Sequence, residues 1–379
     1  MGLNKYKLGD LIELRDVRNL DLNYGVDDVR GVNNLKQLMA TKANLNGRDL
    51  TKFQIVSPGE FVFNHRTSRN GSKFSIAYND GDEPIICTED YVVFRIKYES
   101  LKTLNAKWLY IFFNRPEFDR YVITNSWGSS TEFYNWEDVC SIELELPPLD
   151  IQQKYVDIYN AMVKNQQSYE RGLDDLKLTC DAYIEKLMRD IEPEVIGKYI
   201  ELSEESNDNL QYGLESVKGI SIEKKLIETK ADMKDVSLKL YYIIKPSEFA
   251  YVPDTSRRGD KISLAMNNTE ETYICSSSYL VFRCNNLEAV LPQYLMLFFS
   301  RSEFDRYSRF NSWGSARETF DWEEMCRVQI PIPPINIQQD IVNIYNAFIM
   351  RKDINEKLKS QIKDICPILI KGSIEEAAH

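Results

Sequence analysis

Residues 125–161 read NSWGSSTEFYNWEDVCSIELELPPLDIQQKYVDIYNA, and this stretch decides the organisation of the chain because it returns 186 residues later. The second copy, residues 311–347, reads NSWGSARETFDWEEMCRVQIPIPPINIQQDIVNIYNA. Over residues 108–162, 28 of 55 positions are identical to the second copy at this offset. Solenoid proteins repeat about every 20 to 50 residues. A single return after so long an interval predicts a duplicated domain instead.

The repeat extends upstream, where the offset becomes 188. Thr67-Ser68-Arg69 matches Thr255-Ser256-Arg257, and Leu8-Gly9 corresponds to Ile196-Gly197. Nearly the whole chain is therefore two half-proteins in series. The length of 379 residues agrees with this, because it fits two domains of about 150 residues with their connectors.

Composition describes a globular chain, with 43% hydrophobic residues and a mean hydropathy of −0.41. No apolar run approaches the roughly 18 residues of a membrane helix. The first residues, MGLNKYKLGD, lack the apolar core of a signal peptide. We therefore predict a cytoplasmic location and no membrane association.

The sequence contains seven cysteines and two histidines, and no CxxC pair. A zinc site needs clustered ligands, so none is predicted. The repeat-equivalent pairs Cys87 with Cys275 and Cys140 with Cys326 are predicted to be small buried residues in a reducing compartment. With no P-loop, no glycine-rich cofactor loop and no histidine in the repeated framework, the chain is predicted to be neither an enzyme nor a cofactor-binding protein.

The net charge of −11 is unusual for a nucleic-acid-binding protein, which commonly carries a basic balance. Net charge does not fix the local potential, however, because a positive face can lie on an acidic body. Acidic surfaces also suit solubility and basic partner proteins. Charge therefore leaves the class of partner open.

Residues 1–148 show the short alternating patterns of an α+β domain. The pattern predicts a loop with a short helix at 31–45 and one further helix at 108–113. Four strands are predicted at 60–64, 73–78, 91–97 and 142–146. Residues 192–334 repeat this domain, and the prolines at 147 and 148 end its first copy.

Two long helices are predicted, over 149–191 and 335–372, with a tail at 373–379. Asp150 with Gln153, and Asn336 with Gln339, have the spacing of helix N-terminal capping pairs. Apolar residues then follow at spacings of 4 and 3, which is typical of a coiled coil. Pro367 is expected to end or kink the second helix. The predicted contact row, or seam, of the first helix contains Ile151, Tyr155, Ile158, Met162, Asn165, Tyr169, Leu173, Leu176, Cys180, Tyr183 and Leu187, and its spacing slips near Gly172. The seam of the second helix contains Ile337, Ile341, Ile344, Phe348, Ile354, Leu358, Ile362 and Ile365.

The predicted fold class is α+β. Two tandem similar α/β globular domains are separated by two long α-helices, which pack as an antiparallel coiled coil with an approximate two-fold relation. Forty helical residues span roughly 60 Å, well beyond one small domain. The alternative is that each helix folds back onto its own domain.

Two polar loops are the best candidates for binding chemistry, residues 65–73 and residues 254–261. Arginine can bond guanine edges bidentately, while Lys, Ser and Thr suit phosphate oxygens. A solvated hairpin is the alternative, but the presence of the loop in both copies favours binding. The candidate residues are Arg66, Ser68, Arg69, Asn70 and Lys73 in the first loop, and Arg257, Arg258 and Lys261 in the second.

A second polar stretch in each copy surrounds Trp127 and Trp313 and adds Ser129, Thr131 and Arg317 as candidates. Arg317 aligns with Thr131, so the two halves would not read identical bases. Each tryptophan is interpreted either as a domain anchor, which is favoured, or as part of a nucleic-acid surface.

Each half of the chain consists of a globular domain, a short motif and a long helix; the motif is LPPLDIQQK in the first half and IPPINIQQD in the second. This arrangement resembles the specificity subunit of type I restriction-modification systems. The resemblance covers essentially the whole chain. It implies that 1–148 and 192–334 are target-recognition domains, each reading one part of an interrupted double-stranded DNA sequence. It also implies that the candidate loop residues lie where recognition loops are expected.

The same resemblance implies that the helices act as a spacer and as a dock for two methyltransferase subunits that bind S-adenosylmethionine and methylate adenine. Restriction subunits would supply ATP- and Mg-dependent translocation and cleavage. The residues that would serve the spacer and the dock are Ile151, Tyr155, Ile158, Met162, Ile337, Ile341, Ile344 and Phe348.

Two alternatives stay open. An acidic decoy that binds the methyltransferase without reading DNA would not need matching arginine-bearing turns. A scaffold joining two proteins would bind them independently of salt, whereas a DNA reader loses affinity as salt rises, because neutralised phosphates release counterions.

Overall fold

The computed structural model describes residues 3–33, 35–41, 44–67, 73–128, 132–229, 231–234, 236–256, 261–315 and 317–379. The chain forms two compact units. The first contains Met1–Ser168 and Ile354–His379, and the second contains Tyr169–Asp353. Each unit thus holds one copy of the repeat and a part of each long helix. The finer boundaries of the two globular domains stay a prediction.

The first unit is built around a four-stranded antiparallel sheet whose strand order is β2-β9-β6-β7. Alternation along the strands gives the sheet two buried faces: Phe61 and Phe94 stack at 5.0 Å on one, and Val62 and Val93 lie on the other. Three further pairs, β1-β10, β3-β4 and β5-β8, surround it. The strands are β1 Asn4–Lys7, β2 Ile12–Arg15, β3 Arg30–Val32, β4 Leu38–Ala40, β5 Gln54–Val56, β6 Phe61–Asn64, β7 Ile76–Tyr78, β8 Ile85–Cys87, β9 Tyr91–Ile96 and β10 Glu143–Leu146.

Four shorter helices of the first unit cover the sheet: α1 Leu8–Leu11, α2 Ala106–Phe113, α3 Pro116–Thr124 and α4 Trp136–Cys140. The side chain of Asn105 caps α2 by accepting from the Lys107 and Trp108 amides. The four predicted strands and the helix at 108–113 are confirmed within a few residues, although the strand predicted at 73–78 begins only at Ile76. The short helix predicted in 31–45 is wrong, since β3 and β4 form a hairpin there.

The second unit repeats this architecture, with the sheet order β12-β19-β16-β17. Phe249 and Phe282 stack at 4.8 Å where the first unit has Phe61 and Phe94. The elements are β11 Glu194–Val195, β12 Ile200–Leu202, β13 Lys218–Ile220, β14 Leu226–Glu228, β15 Tyr242–Ile244, β16 Phe249–Tyr251, β17 Leu264–Met266, β18 Tyr273–Cys275, β19 Leu280–Cys284 and β20 Gln329–Ile330, with helices α6 Pro292–Phe299, α7 Ser302–Phe310 and α8 Trp322–Arg327.

All seven cysteines are free. Cys87 and Cys275 are buried, as predicted, whereas Cys140 and Cys326 are only partly buried. Cys140 packs on Gly9, where an added Cβ would lie 2.7 Å from the Cys140 Cβ. The glycine therefore permits the close approach of α1 and α4.

Two long helices complete the chain, α5 Leu149–Asp190 and α9 Ile335–Ala378. The predicted capping pair at the start of α5 is wrong, because the helix already begins at Leu149 and its first bond runs from the Gln152 amide to Pro148 O. Gln153 bonds Asp157 within the exposed face instead of capping the helix.

The helices pack antiparallel, as predicted. In the first unit Lys154 pairs with Glu376, and further along α5 Gln166 bonds Asn355, earlier in α9. In the second unit the Arg351 guanidinium lies 4.9 Å from the centre of the Tyr169 ring.

The slip predicted near Gly172 stays a prediction, but the glycine itself has a packing role. A Cβ at Gly172 would lie 2.7 Å from Arg351, so the glycine leaves room for this guanidinium beside α5.

The predicted seam of α5 is shifted by one residue in its first half. The buried row contains Gln152, Val156, Tyr159 and Gln166, whereas Ile158 is 43% exposed. One residue corresponds to a rotation of about 100° around the helix. Because two members of the buried row are glutamines, a search for apolar residues selects the neighbouring row.

Helix α9 continues through Pro367 to Ala378, beyond the predicted end at 372. Proline removes one intrahelical hydrogen bond, but the residues after it are held by packing. Leu369 and Ile370 are buried in the core of the first unit, and the Trp108 indole donates to Ser373 Oγ at 3.1 Å. Among the described residues, no helix is both long and apolar enough to cross a membrane.

Candidate nucleic-acid interface

The two polar stretches predicted in the first half lie side by side. The Thr67 amide donates to Glu132 O at 2.9 Å, and the Tyr134 amide donates to His65 O at 2.9 Å. These bonds join the start of the loop at 65–73 to the stretch that follows Trp127. Two segments that are more than 60 residues apart in sequence therefore form one surface.

The second unit makes the same connection. The Thr255 amide donates to Glu318 O at 2.9 Å, and the Phe320 amide donates to Pro253 O at 2.9 Å. The pairing of the loops is thus a property of both copies, although some loop residues differ between them, such as Arg66 and Asp254.

Trp127 lies in a tight hairpin closed by Phe133, whose amide donates to Trp127 O at 3.0 Å. Trp313 and Thr319 repeat this closure. The tryptophan side chains are 73% and 65% exposed, so the domain-anchor interpretation is wrong. Each unit presents a large aromatic surface next to its polar loop.

A glycine follows each tryptophan, and both adopt a positive φ, 153° at Gly128 and 141° at Gly314. A Cβ at Gly314 would lie 2.0 Å from Arg317 O. Only glycine fits this turn, which explains why the dipeptide Trp-Gly stands in both copies.

Arg66 is the described cation of the first loop that lies nearest the hairpin. Its guanidinium is partly exposed and forms an ion pair with Asp90 at 3.3 Å. Partial burial lowers the pKa of the neighbouring His65, and the Arg66 charge lowers it further. His65 is therefore neutral at pH 7, and Arg66 carries the positive charge at this position. Lys73, at the other end of the loop, is partly buried.

In the second unit, Lys261 is exposed and pairs with Glu223 at 2.9 Å. Arg317 is exposed in the hairpin, next to Glu318, which pairs with Arg309. Exposed pairs of this kind contribute little to stability. Their cations can therefore exchange a carboxylate for a phosphate at small cost.

Several candidates fall outside the described residues, so their position relative to these surfaces stays a prediction: Ser68, Arg69, Asn70, Ser129, Thr131, Arg257 and Arg258.

The predicted docking residues on the long helices differ in accessibility. Ile158 is exposed, whereas Ile341 is buried in the core of the second unit and supports the packing of α9. The remaining six are partly buried: Ile151, Tyr155, Met162, Ile337, Ile344 and Phe348. Their role toward a partner stays a prediction.

Sequence reasoning missed two pairs of polar residues that the fold removes largely from solvent. Gln152 and Gln338 are completely buried at the start of α5 and α9. Lys36 is buried and Lys224 is partly buried, each next to the end of its polar loop. Their signal is identity between the copies at offsets of 186 and 188. Within the described parts of the chain, no group of three or more His, Cys, Asp or Glu residues could hold a metal ion.

Two similar α+β units, each with paired polar loops at its surface and a share of two long helices, define a duplicated recognition protein. The sequence matches the family profile described as "Type I restriction modification DNA specificity domain" over residues 2–175 and 223–364. The chain belongs to this family, and the predicted resemblance to type I specificity subunits is confirmed.

One solved structure agrees with this chain in fold. The chain is similar to the type I restriction-modification S subunit from M. genitalium, with 12% identity, a TM-score of 0.59 and coverage of 98% of this chain and 96% of the other. The HsdS subunit from Thermoanaerobacter tengcongensis matches with 14% identity and a TM-score of 0.39, over 98% and 96% of the chains. No curated protein matches significantly.

Proposed function

We propose that this chain is the DNA sequence-recognition subunit of a type I restriction-modification complex. Each unit reads one half of an interrupted target through its paired loops. Because the halves are alike but unequal, the target consists of two short elements, related but different, in roughly inverted orientation. The chain itself performs no catalysis.

The observation that carries this proposal is the repeated pairing of an exposed tryptophan with a cation-bearing loop. Cations position a protein on the DNA backbone, and arginine can read base edges. Exposed aromatic or apolar side chains can stack on bases or wedge between base steps. A tryptophan is largely exposed at equivalent positions in both units, and this repetition favours a binding role.

The acidic balance of the chain is accommodated if partner subunits supply part of the positive surface. In this proposal two methyltransferase subunits bind S-adenosylmethionine, and restriction subunits bind ATP and Mg. The assembly acts on cellular DNA in the cytoplasm.

The helices serve this function as a spacer and a dock. Helix α5 begins in the first unit and ends in the second, and α9 runs through the units in the opposite order. A helix of 42 residues spans about 63 Å. The exposed Ile158 is the best-placed of the predicted docking residues to meet a methyltransferase subunit, since it is apolar and uncovered.

Mapping of methylated adenines tests the proposal. Cells that carry this chain with a methyltransferase subunit of the same system are compared with cells that carry the methyltransferase alone. The expected result is an interrupted motif that depends on the chain, whereas a continuous motif, or the same motif without the chain, would contradict the proposal.

The net charge of −11 favours a second candidate, an acidic decoy that occupies the methyltransferase. Gel shifts of the complex on DNA with that motif distinguish the two. A recognition subunit adds sequence-dependent affinity that falls steeply with salt. A decoy instead reduces the DNA binding of the methyltransferase.

A further inference from the structure

A buried ion pair lies beneath the polar loop of the first unit. The Lys36 ammonium pairs with the Asp119 carboxylate and also donates to Phe74 O at 3.2 Å. The Phe74 amide donates to Asp119 Oδ1 at 3.0 Å. Three segments meet here: the turn between β3 and β4, helix α3, and the residue that follows Lys73 at the end of the loop.

The second unit contains the same network. Lys224 Nζ lies 2.6 Å from Asp305 Oδ1 and 2.8 Å from Ile262 O, and the Ile262 amide donates to Asp305 Oδ1 at 3.2 Å. Ile262 follows Lys261, as Phe74 follows Lys73. Each bond of one unit therefore has its counterpart in the other.

Both lysines adopt an unfavourable backbone conformation in a largely solvent-excluded position. Lys36 is 3% exposed and has a φ of 61°, and Lys224 has a φ of 59°. This left-handed conformation favours glycine or asparagine over lysine. Burial lowers the pKa of Lys36, and the Asp119 charge opposes that shift.

A buried ion pair is weak evidence for stability, because desolvation offsets much of the attraction. A lysine stands in a strained turn in both copies, and this is better explained by the backbone segment that its ammonium group holds in place.

The segment held by each lysine is the end of the polar loop, at Phe74 in the first unit and at Ile262 in the second. The other end is held by the Thr67 amide on Glu132 in the first unit and by the Thr255 amide on Glu318 in the second. Six residues thus separate the two fixed points, 68–73 in the first unit.

We propose that Lys36 with Asp119, and Lys224 with Asp305, are positioning residues for DNA reading: each pair fixes the end of one recognition loop and so sharpens the choice of bases in one half-site. The inference rests on the proposed function.

The test uses the full chain in complex with its methyltransferase and DNA duplexes that carry the mapped motif. A second and a third set of duplexes each change one base, in the first or in the second half-site. The discrimination ratio is the dissociation constant for a changed duplex divided by that for the intact motif. A partly unfolded preparation lowers the active fraction but leaves this ratio unchanged.

Lys36→Met is expected to reduce discrimination at least tenfold in the half-site read by the first unit and to leave the other half-site unchanged. Lys224→Met gives the reciprocal result. Asp119→Asn keeps an acceptor for the Phe74 amide but removes the charge, and it is the second variant if Lys36→Met does not fold. Val56→Ala, in a buried cluster of the same unit, is the matched control for destabilisation.

Equal discrimination in wild type and in both variants of the first unit would overturn the inference, and so would an equal loss at both half-sites. A wild-type complex without sequence preference would instead refute the proposed function, so the two failures are distinguishable.

Discussion

The Gln166 side-chain amide donates a hydrogen bond to Asn355 Oδ1 at 2.9 Å, and both residues are buried between α5 and α9 in the first unit. In the second unit the helices instead bring together Tyr169, the equivalent of Asn355, and Arg351, which precedes the equivalent of Gln166 by one residue. A buried polar pair specifies helix register because any shift leaves its groups unpaired. Because the polar pair differs between the two units, each segment of α5 is matched to one particular segment of α9.

Asn355→Ala should therefore destabilise the first unit by about 1–3 kcal/mol, since it leaves the Gln166 amide buried without this acceptor. Urea unfolding of the chain measures the change. The double variant Gln166→Leu with Asn355→Leu removes both groups and is expected to recover most of the loss. A double variant as unstable as the single one would show that the hydrogen bond is not the cause.

Gln152 anchors the start of α5 to its own unit. Its amide donates to Thr103 O and Pro147 O, both at 2.8 Å, and its oxygen accepts from the Asn105 amide at 2.9 Å. Gln152→Leu leaves these buried backbone groups unpaired and should cost at least about 2 kcal/mol in the free energy of unfolding. Gln153→Leu, one position along on the exposed face, is the control and should change stability by less than about 0.5 kcal/mol. Equal effects would contradict this assignment.

These glutamines also mark the limit of sequence reasoning. Alternation predicted the strand that carries Phe61, and β-branched and aromatic composition predicted the strand that carries Phe94. The 4-and-3 spacing predicted two long helices, and the position of each helix after its own domain predicted that they pair antiparallel. The row of α5 that is buried could not be predicted, because Gln152 is held by backbone groups about fifty residues upstream. Long-range partners of this kind have no periodic signal in the sequence.

The candidate interface shows the same limit. Its loops were predicted from composition and repetition, but Trp127 was favoured as an anchor because large aromatic residues are usually buried. The side chain is exposed beside Gly128, whose φ is positive. The Lys36–Asp119 pair joins residues 83 positions apart, so only the identity of both residues between the copies could have indicated it.

Trp127→Ala should weaken DNA binding by the complex by about 1–3 kcal/mol, the usual range for an aromatic side chain that stacks on a base. Stability should be little affected, since the side chain is largely exposed. Tyr98→Ala removes another exposed aromatic residue of the same unit and should leave affinity unchanged. Fluorescence anisotropy with labelled duplexes measures both, and a normal affinity for Trp127→Ala would rule out the contact.

Lys261→Ala should weaken binding to all sequences alike, because lysine suits phosphate oxygens rather than base edges. The slope of log affinity against log salt should become shallower by about 1. Glu223→Gln offers a complementary change, since it frees Lys261 from its ion pair and should strengthen binding slightly. A loss restricted to one base pair of the motif would make Lys261 a base-reading residue instead.

Lengthening the helix pair tests the spacer role. Seven residues inserted between Ser168 and Tyr169 in α5, and seven between Asp353 and Ile354 in α9, preserve the antiparallel pairing, because a heptad returns each helix to nearly the same face. The insertion adds about 10 Å of helix, and B-DNA rises about 3.4 Å per base pair. The gap between the two elements of the motif should therefore lengthen by one to about three base pairs while the elements themselves stay the same.

Insertion into α5 alone is the matched control for this experiment. It displaces Gln166 and the residues before it relative to α9, and should destabilise the chain rather than shift the motif. Mapping of methylated adenines reads out both variants. If the doubly lengthened chain were active on the original motif, the helices would not determine the gap, and the distance between half-sites would have to be set by the partner subunits.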